Sequence, residues 1–408
     1  MTLTVVSSYF PLPPDRGDPV RVSMMLRALA RLPGCTLLAV RRPDTTADQV
    51  EQLRRMLAPM PVHTFAATPF RYDRLGPPGR YAQSLARGLP PWIRSRYSAE
   101  LHHELRRRDG AGLALGEAAG AYFPTTGLRW HWDKANVLAA SARQEIAAAR
   151  DPVHRLRARY LTTVSTRFER RALARCATVS VTSADEADRL RRHHGRSATF
   201  VLPSCVPLPA DHRPRPRQRE LVWLGSFAYE PNLSGLRRFL AQGWPPLARG
   251  GFTLSLIGSG LTVPLRAELG RHRGVLVRGY VEDLRPALAG ARAGVVPLFS
   301  GAGVKLKTLT LLAHAVPVFT TPVGAEGIPV SPAVRVAPDP AALTGQLLAA
   351  TPADLDAMAG EATRLVRREF SEARFAERLL AALDAAARPA SEAAGPAPEA
   401  AGRAGPPG

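Results

Sequence analysis
The sequence predicts an α/β protein of two Rossmann-like domains, on three observations. Residues 293–328 read as an apolar strand (Ala293 to Leu298), a small-residue loop (Ser300, Gly301, Ala302, Gly303), an apolar-periodic helix and a second strand (Val316 to Thr320). That β-loop-α-β order is the unit from which parallel sheets are built. The chain opens in the same manner, with strand-like Leu3 to Ser7, a Gly-bearing loop and a helix from about Val20 to Leu32. Between the two lies a Pro/Arg-rich stretch, Arg213 to Arg219, of the composition that marks a domain boundary. At 408 residues the chain can fill two cores. The expected units are residues 1–210, residues 211–387 and a low-complexity Ala/Gly/Pro tail, 388–408, expected to be disordered.

In the first unit, Val22, Met25, Leu26 and Leu29 share one face of the opening helix. The loop before it, Pro13-Pro14-Asp15-Arg16-Gly17-Asp18, follows the first strand, the end at which open α/β sheets bind ligands. A plain Pro-rich connection is the simpler alternative. Cys35 to Val40 reads as a strand and Thr46 to Ala58 as a helix, whereas Pro59 to Pro91 is irregular. A helix over Arg94 to Arg108 and a strand over Gly112 to Leu115 follow. In RWHWDKANVLAASARQE (Arg129 to Glu145), His131 and Asp133 are two residues apart and share a face in a strand. Asp151 to Ala174 reads as a long amphipathic helix, Cys176 to Ser183 as a strand, and Asp185 to Arg192 as a helix capped by Ser183.

The second unit opens with a strand over Leu221 to Gly225 and a loop leading to a helix. A strand over Phe252 to Ile257, the segment Gly274 to Asp283 and a helix over Leu284 to Ala293 lead into the β-loop-α-β unit. Helices close the domain over Pro340 to Ala349, Ala353 to Phe370 and Glu372 to Ala387. The loop at 300–303 stands at a helix N-terminus, where unpaired N–H groups and the positive dipole end favour an anion such as phosphate. Glycines there let backbone approach a ligand closely. Of 55 basic residues only three are lysine, and two of them, Lys305 and Lys307, fall in the first turn of this helix. Cations are disfavoured there by the dipole, so their coincidence with the loop favours an anion site over a solvated basic turn.

These residues also carry a resemblance. SGAGVKLKTL…PV…T…GAEGI is similar to the nucleotide-sugar half of the family-4 (group 1) retaining glycosyltransferases, which have the GT-B fold. The family pattern is close to G-x-G-x-x-x-K-x-L-E-A-x-A-x-G-x-P-V-V, and it matches at Gly301, Gly303, Lys307, Leu309, Ala313, Pro317 and Val318. The chain departs from it at Thr310, where the family has a ribose-binding Glu, and at His314-Ala315, where it has Gly before the strand. FERRALARCATVSVTSADEADRL resembles the end of the family's first domain, and Pro231-Asn232 and GVLVRGYVED match its second.

The resemblance implies transfer of a glycosyl group from a nucleoside-diphosphate sugar to a glycan, lipid or natural-product acceptor, with retention and without a metal or other cofactor. It implies that Gly225, Ser226, Asn232, Gly301, Ala302, Gly303, Val304, Lys305 and Lys307 bind the nucleotide sugar, with Lys305, Lys307 and the helix N-terminus after Gly303 on the leaving diphosphate. The Arg that many relatives use there is absent, and Ser226-Phe227 stand in its place. Gly279, Tyr280 and Val281 would hold the base, Thr310 would sit by the ribose, and Gly17 would face the sugar across the cleft. The segment carrying His131 and Asp133 resembles a family pattern, Asp-x-His-Asn-Val-Glu-Ser, that projects polar groups toward the reacting sugar. Asp133, Asn136 and Val137 match by spacing, while Ala135 stands where the family has its His. His131 is the candidate substitute, and the two are assigned as catalytic. The departures, with Leu138 and Asp18, also support an alternative: a degenerate GT-B protein serving as an auxiliary or scaffold subunit.

Other classes find little support. Asp354-Leu355-Asp356 is explained by acids at a helix start, and the pairs His102-His103 and His193-His194 point apart on helices, so no metal site is expected. No GxGxxG follows the first strand. The chain is 45% hydrophobic with no apolar run long enough to span a bilayer. Three cysteines without ligand spacing, and an opening TLTVVSS unlike a secretory leader, predict a cytoplasmic location. The formal net charge of +21 comes almost wholly from scattered Arg. Clusters at 106–108, 189–196 and 213–219 offer peripheral contact with an anionic membrane face, although solvated surface is the simpler account. Nothing interleaves aromatic with basic residues, so nucleic acid is not an expected partner.

Overall fold
The computed structural model describes residues 2–12, 17–68, 76–148, 152–209, 219–301 and 303–387. The first domain runs β1 (Leu3–Ser7), α1 (Gly17–Leu29), β2 (Cys35–Arg41), α2 (Ala47–Leu57), β3 (Val62–Ala66), α3 (Gly76–Arg87), α4 (Pro91–Arg94), α5 (Ala99–Leu105) and β4 (Asp109–Leu115). A 3-10 segment (Glu117–Thr125), β5 (Gly127–Lys134), α6 (Leu138–Ala148), α7 (Pro152–Leu173), β6 (Cys176–Val181), α8 (Ala184–His194) and β7 (Phe200–Val201) complete it. The second runs β8 (Glu220–Leu224), α9 (Glu230–Gln242), α10 (Trp244–Arg249), β9 (Thr253–Ile257), α11 (Val263–Gly270), β10 (Val275–Gly279), α12 (Leu284–Ala289), β11 (Ala293–Val296) and α13 (Leu306–Ala313). It continues through β12 (Val318–Thr320), β13 (Val334–Val336), α14 (Pro340–Ala349), α15 (Pro352–Leu365), a π turn (Val366–Phe370) and α16 (Glu372–Ala387).

Both sheets are parallel. The first has the order β3-β2-β1-β4-β5-β6-β7 and the second β10-β9-β8-β11-β12-β13. Strands covered by helices on both faces read as unbroken apolar runs, and β1, β8 and β11 are buried along their whole length. In each sheet the order reverses once, between β1 and β4 and between β8 and β11. Chains leaving the two strands there diverge to opposite faces and open a crevice at the strand C-termini, where such sheets take ligands.

Three sequence expectations change. The irregular stretch 59–91 contains β3 and α3; β3 is an edge strand with only its first residue buried, so its apolar signal is weak. The helix expected over 94–108 is two, because Ser98 turns extended and caps α5, its side chain accepting from the Leu101 N–H. The last helix, α16, crosses back to the first domain, where Phe375, Leu379 and Leu383 join a core with Val22, Met25 and Leu26 of α1. Pro13 to Arg16, Ala302, most of the 213–219 linker and the 388–408 tail lie outside the described residues.

Candidate functional site
The β8/β11 switch point of the second domain is lined by two loops. After β11 the chain passes Gly301 (φ 114°) and Gly303 (φ 77°), in the region only glycine enters freely, and reaches α13 with Lys305 at its N-cap. After β8 it passes Gly225 and Ser226 into α9. Backbone approaches backbone here: a Cβ built on Gly258, after β9, would stand 1.7 Å from the Gly225 carbonyl oxygen, so glycine is obligatory. The Gly258 N–H in turn donates to the Gly279 carbonyl at 2.8 Å, which brings the end of β10 into the same rim.

Asn232 ties these loops. Its Nδ2 donates to the Ser226 carbonyl at 3.0 Å, and its Oδ1 accepts from Lys307 Nζ. Lys307 also lies over the Trp223 ring, 5.7 Å from the centroid, and has no carboxylate partner among the described residues. Burial, and after it the neighbouring Lys305 charge, push its pKa down to about 7. A partly buried ammonium without a counter-charge at a helix N-terminus has the chemistry to receive an anion.

Lys305 is different. Its Nζ donates to the Gly303 carbonyl and to Glu326 at 3.1 Å, and it is buried. Burial lowers its pKa, opposed by the Glu326 charge. Val304, the residue between, packs against Gly327, where a Cβ would come within 2.5 Å of Val304 Cγ2. Gly279, Tyr280 and Val281 leave the end of β10, with Tyr280 71% exposed. Thr310 faces inward in part, and its carbonyl accepts the His314 Nδ1 hydrogen bond at 2.9 Å. Gly17 opens α1 in the other domain.

His131 and Asp133 do share a face of β5, as the period of two requires, but that face is interior. His131 bonds Thr178 Oγ1 at 2.8 Å and Ser180 Oγ at 3.0 Å, and burial pushes its pKa down to about 4 against the pull of Asp133. Asp133 accepts from Arg21 at 2.7 and 3.0 Å and from Ser180 at 2.9 Å. Both are 1% exposed, so neither reaches a substrate, and the catalytic assignment is replaced by one in which they anchor β5. Arg21 extends that anchor to the interdomain connection, donating to the Leu202 carbonyl and Ser204.

The sequence reading missed the groups that shape the first domain's rim. At the start of α6, four successive N–H groups find three glutamates: Asn136 donates to Glu117, Val137 to Glu186, and Leu138 and Ala139 to Glu169. Glu169 is further bonded by Lys134 (2.7 Å) and His194 (2.9 Å). These partners lie 19 to 49 residues away in the chain, beyond any local pattern. The rim meets the second domain directly. A Cβ on Gly303 would stand 2.8 Å from Asn136 Oδ1, and one on Gly327 would stand 3.1 Å from Ser183 Cβ.

This architecture, two facing Rossmann-like domains with the C-terminal helix crossing back, is the GT-B fold, and solved structures share it across nearly the whole chain. HepE of Anabaena, solved in complex with UDP-glucose, superposes with a TM-score of 0.63 at 12% identity, over 94% of this chain and 99% of that one. WaaG, a glycosyltransferase involved in lipopolysaccharide biosynthesis, gives 0.57 at 14% identity over 93% and 98%. TarM gives 0.67 at 9% identity over 94% and 99%. Residues 218–367, most of the second domain, match the family model "Glycosyl transferases group 1". No curated protein matches the chain by sequence.

Proposed function
We propose that the protein transfers a glycosyl group from a nucleoside-diphosphate sugar to a glycan, lipid or natural-product acceptor, with retention and without a metal ion. The observation that carries the reading is Lys307: an ammonium with no carboxylate partner among the described residues, in the first turn of α13, between two glycine-bearing loops. The leaving diphosphate develops negative charge as the glycosyl bond breaks. Lys307 and the N–H groups opening α13 would stabilise that charge in place of a metal. The backbone of Gly279 to Val281 would read the base edge, and Thr310 would contact the ribose through a hydroxyl rather than a carboxylate. The acceptor would lie on the first domain's rim, at the start of α6. HepE, similar in fold, was solved with UDP and UDP-glucose.

The test is release of nucleoside diphosphate from UDP-, GDP-, dTDP- and ADP-sugars, with and without EDTA, and the anomeric configuration of the product by NMR. Turnover of one donor class, unaffected by EDTA and with the donor configuration kept, is expected. Inversion, or loss of turnover with EDTA, contradicts the mechanism. Thr310 favours a second reading, an auxiliary subunit, since it offers the ribose no carboxylate. Nucleotide binding without turnover of any donor would select it.

We extend the reading to a cytoplasmic protein. Among the described residues no helix is long and apolar enough to cross a membrane. Of the cluster at 189–196, Arg189 and Arg191 are in ion pairs and Arg196 donates to three carbonyls, so contact with anionic lipid would fall to the exposed Arg192, Arg106 and Arg107. Co-sedimentation with anionic vesicles tests that contact.

A further inference from the structure
The two lysines of the donor loop have different partners, and the difference leads across the domain boundary. Glu326 stands in the loop after β12. It takes Lys305 on one oxygen at 3.1 Å, and on the other it meets Arg189 of α8 at 2.5 Å, an ion pair without aligned hydrogen-bond geometry. Arg189 also pairs with Glu186, whose second oxygen accepts the Val137 N–H at the start of α6. An alternating chain of charges, Lys305, Glu326, Arg189 and Glu186, thus joins the donor loop of one domain to the rim of the other. Its members are largely buried, with side-chain exposures of 9%, 9%, 18% and 1%.

A carboxylate this close to a diphosphate site would repel the ligand unless neutralised. Glu326 is neutralised twice, by one cation from each domain. Lys305 could meet the diphosphate only by leaving a buried carboxylate, whereas Lys307 has none to leave. We propose that Glu326 and Arg189 are positioning residues that fasten the donor loop to the first domain, so that Lys307 meets the diphosphate while Lys305, through Glu326, sets how the domains close on it. This rests on the donor-site reading above, and the experiment separates the two.

Spin labels at Glu100→Cys and Ala357→Cys, exposed positions in different domains, report the interdomain distance by pulsed electron resonance; the native cysteines are all buried. UDP, GDP, dTDP and ADP are titrated in turn. Arg189→Ala and Glu326→Gln are expected to broaden the distance distribution, and Arg189→Lys to restore most of it. Glu326→Gln leaves Lys305 without a counter-charge, while Arg189 keeps Glu186, so it is expected to bind the nucleotide about two- to fivefold tighter, which loss of packing alone would not produce. Lys307→Ala is expected to lose the nucleotide and keep the distance. An unchanged distance in Arg189→Ala and Glu326→Gln, with Lys305→Ala losing nucleotide as fully as Lys307→Ala, overturns the proposal and leaves the donor site standing. No nucleotide binding by the wild type, with domains that still open in the variants, overturns the donor reading and upholds the fastening.

Discussion
Lys307 carries the account at the scale of the residue. Its pKa, held near 7 by burial and Lys305, lies below its value in the unfolded chain. Between about pH 7 and the ordinary lysine range the folded protein therefore binds fewer protons than the unfolded one, and Lys307 makes stability rise with pH across that window. An anion beside it reverses the shift, so at pH 8 nucleotide binding should take up close to one proton. Calorimetry in two buffers of different ionisation enthalpy measures this uptake, and Lys307→Ala should abolish it. Ala315 carries a different strain. It is the one non-glycine residue with positive φ (54°) among the described residues, at the position where the family pattern has Gly. The left-handed conformation costs an alanine about 1–2 kcal/mol, partly offset by glycine's unfolded-state entropy. Ala315→Gly should therefore stabilise the protein by about 0.5–1 kcal/mol, read from the urea midpoint.

Among the elements, α6 shows how far a local reading extends. A helix over 138–148 is not among the sequence expectations, and the N-terminus of α6 is satisfied by Glu117, Glu186 and Glu169, which no capping pattern connects to it. Burial alone would raise the Glu169 pKa; the Lys134 charge and bonds from His194 and Lys134 more than reverse this, to about 2. Its contribution is thus full above the ordinary glutamate range and is lost as pH falls toward 2. Glu169→Gln leaves Lys134 buried without its counter-charge and should cost about 3–5 kcal/mol, a large share of a typical domain's stability, measured by chemical denaturation. The same limit explains His131 and Asp133. Alternation along β5 puts them on one face, but it does not say whether that face lines the cleft or the core. Ser180 and Arg21, which decide the matter, come from 47 and 112 residues away. The glycine loop and the helix after it were legible because their signals are local: a strand end, glycines, a helix start and two lysines within the twelve residues from Val296 to Lys307. What the sequence did not show was that those lysines have unlike partners, since Glu326 reaches Lys305 from the loop after β12 and Asn232 reaches Lys307 from the first turn of α9.

The whole molecule depends on connections between domains. Both sheets were readable as parallel from their apolar strands. The return of α16 to the first domain was not, because an amphipathic helix at the chain's end shows that it packs, not on what. Phe375 of that helix is 3% exposed within the first domain's core, and its ring faces Arg21 at 5.8 Å. Phe375→Ala should cost about 3–5 kcal/mol and lower the unfolding temperature of the first domain, which differential scanning calorimetry would resolve. The central claim, that the second domain holds a nucleoside diphosphate on Lys307, is tested most directly by calorimetric titration of the wild type and Lys307→Ala with UDP, GDP, dTDP and ADP. The account predicts saturable binding of one nucleotide to the wild type and its loss in the variant. Equal binding by both proteins, or none by the wild type at millimolar nucleotide, would contradict it.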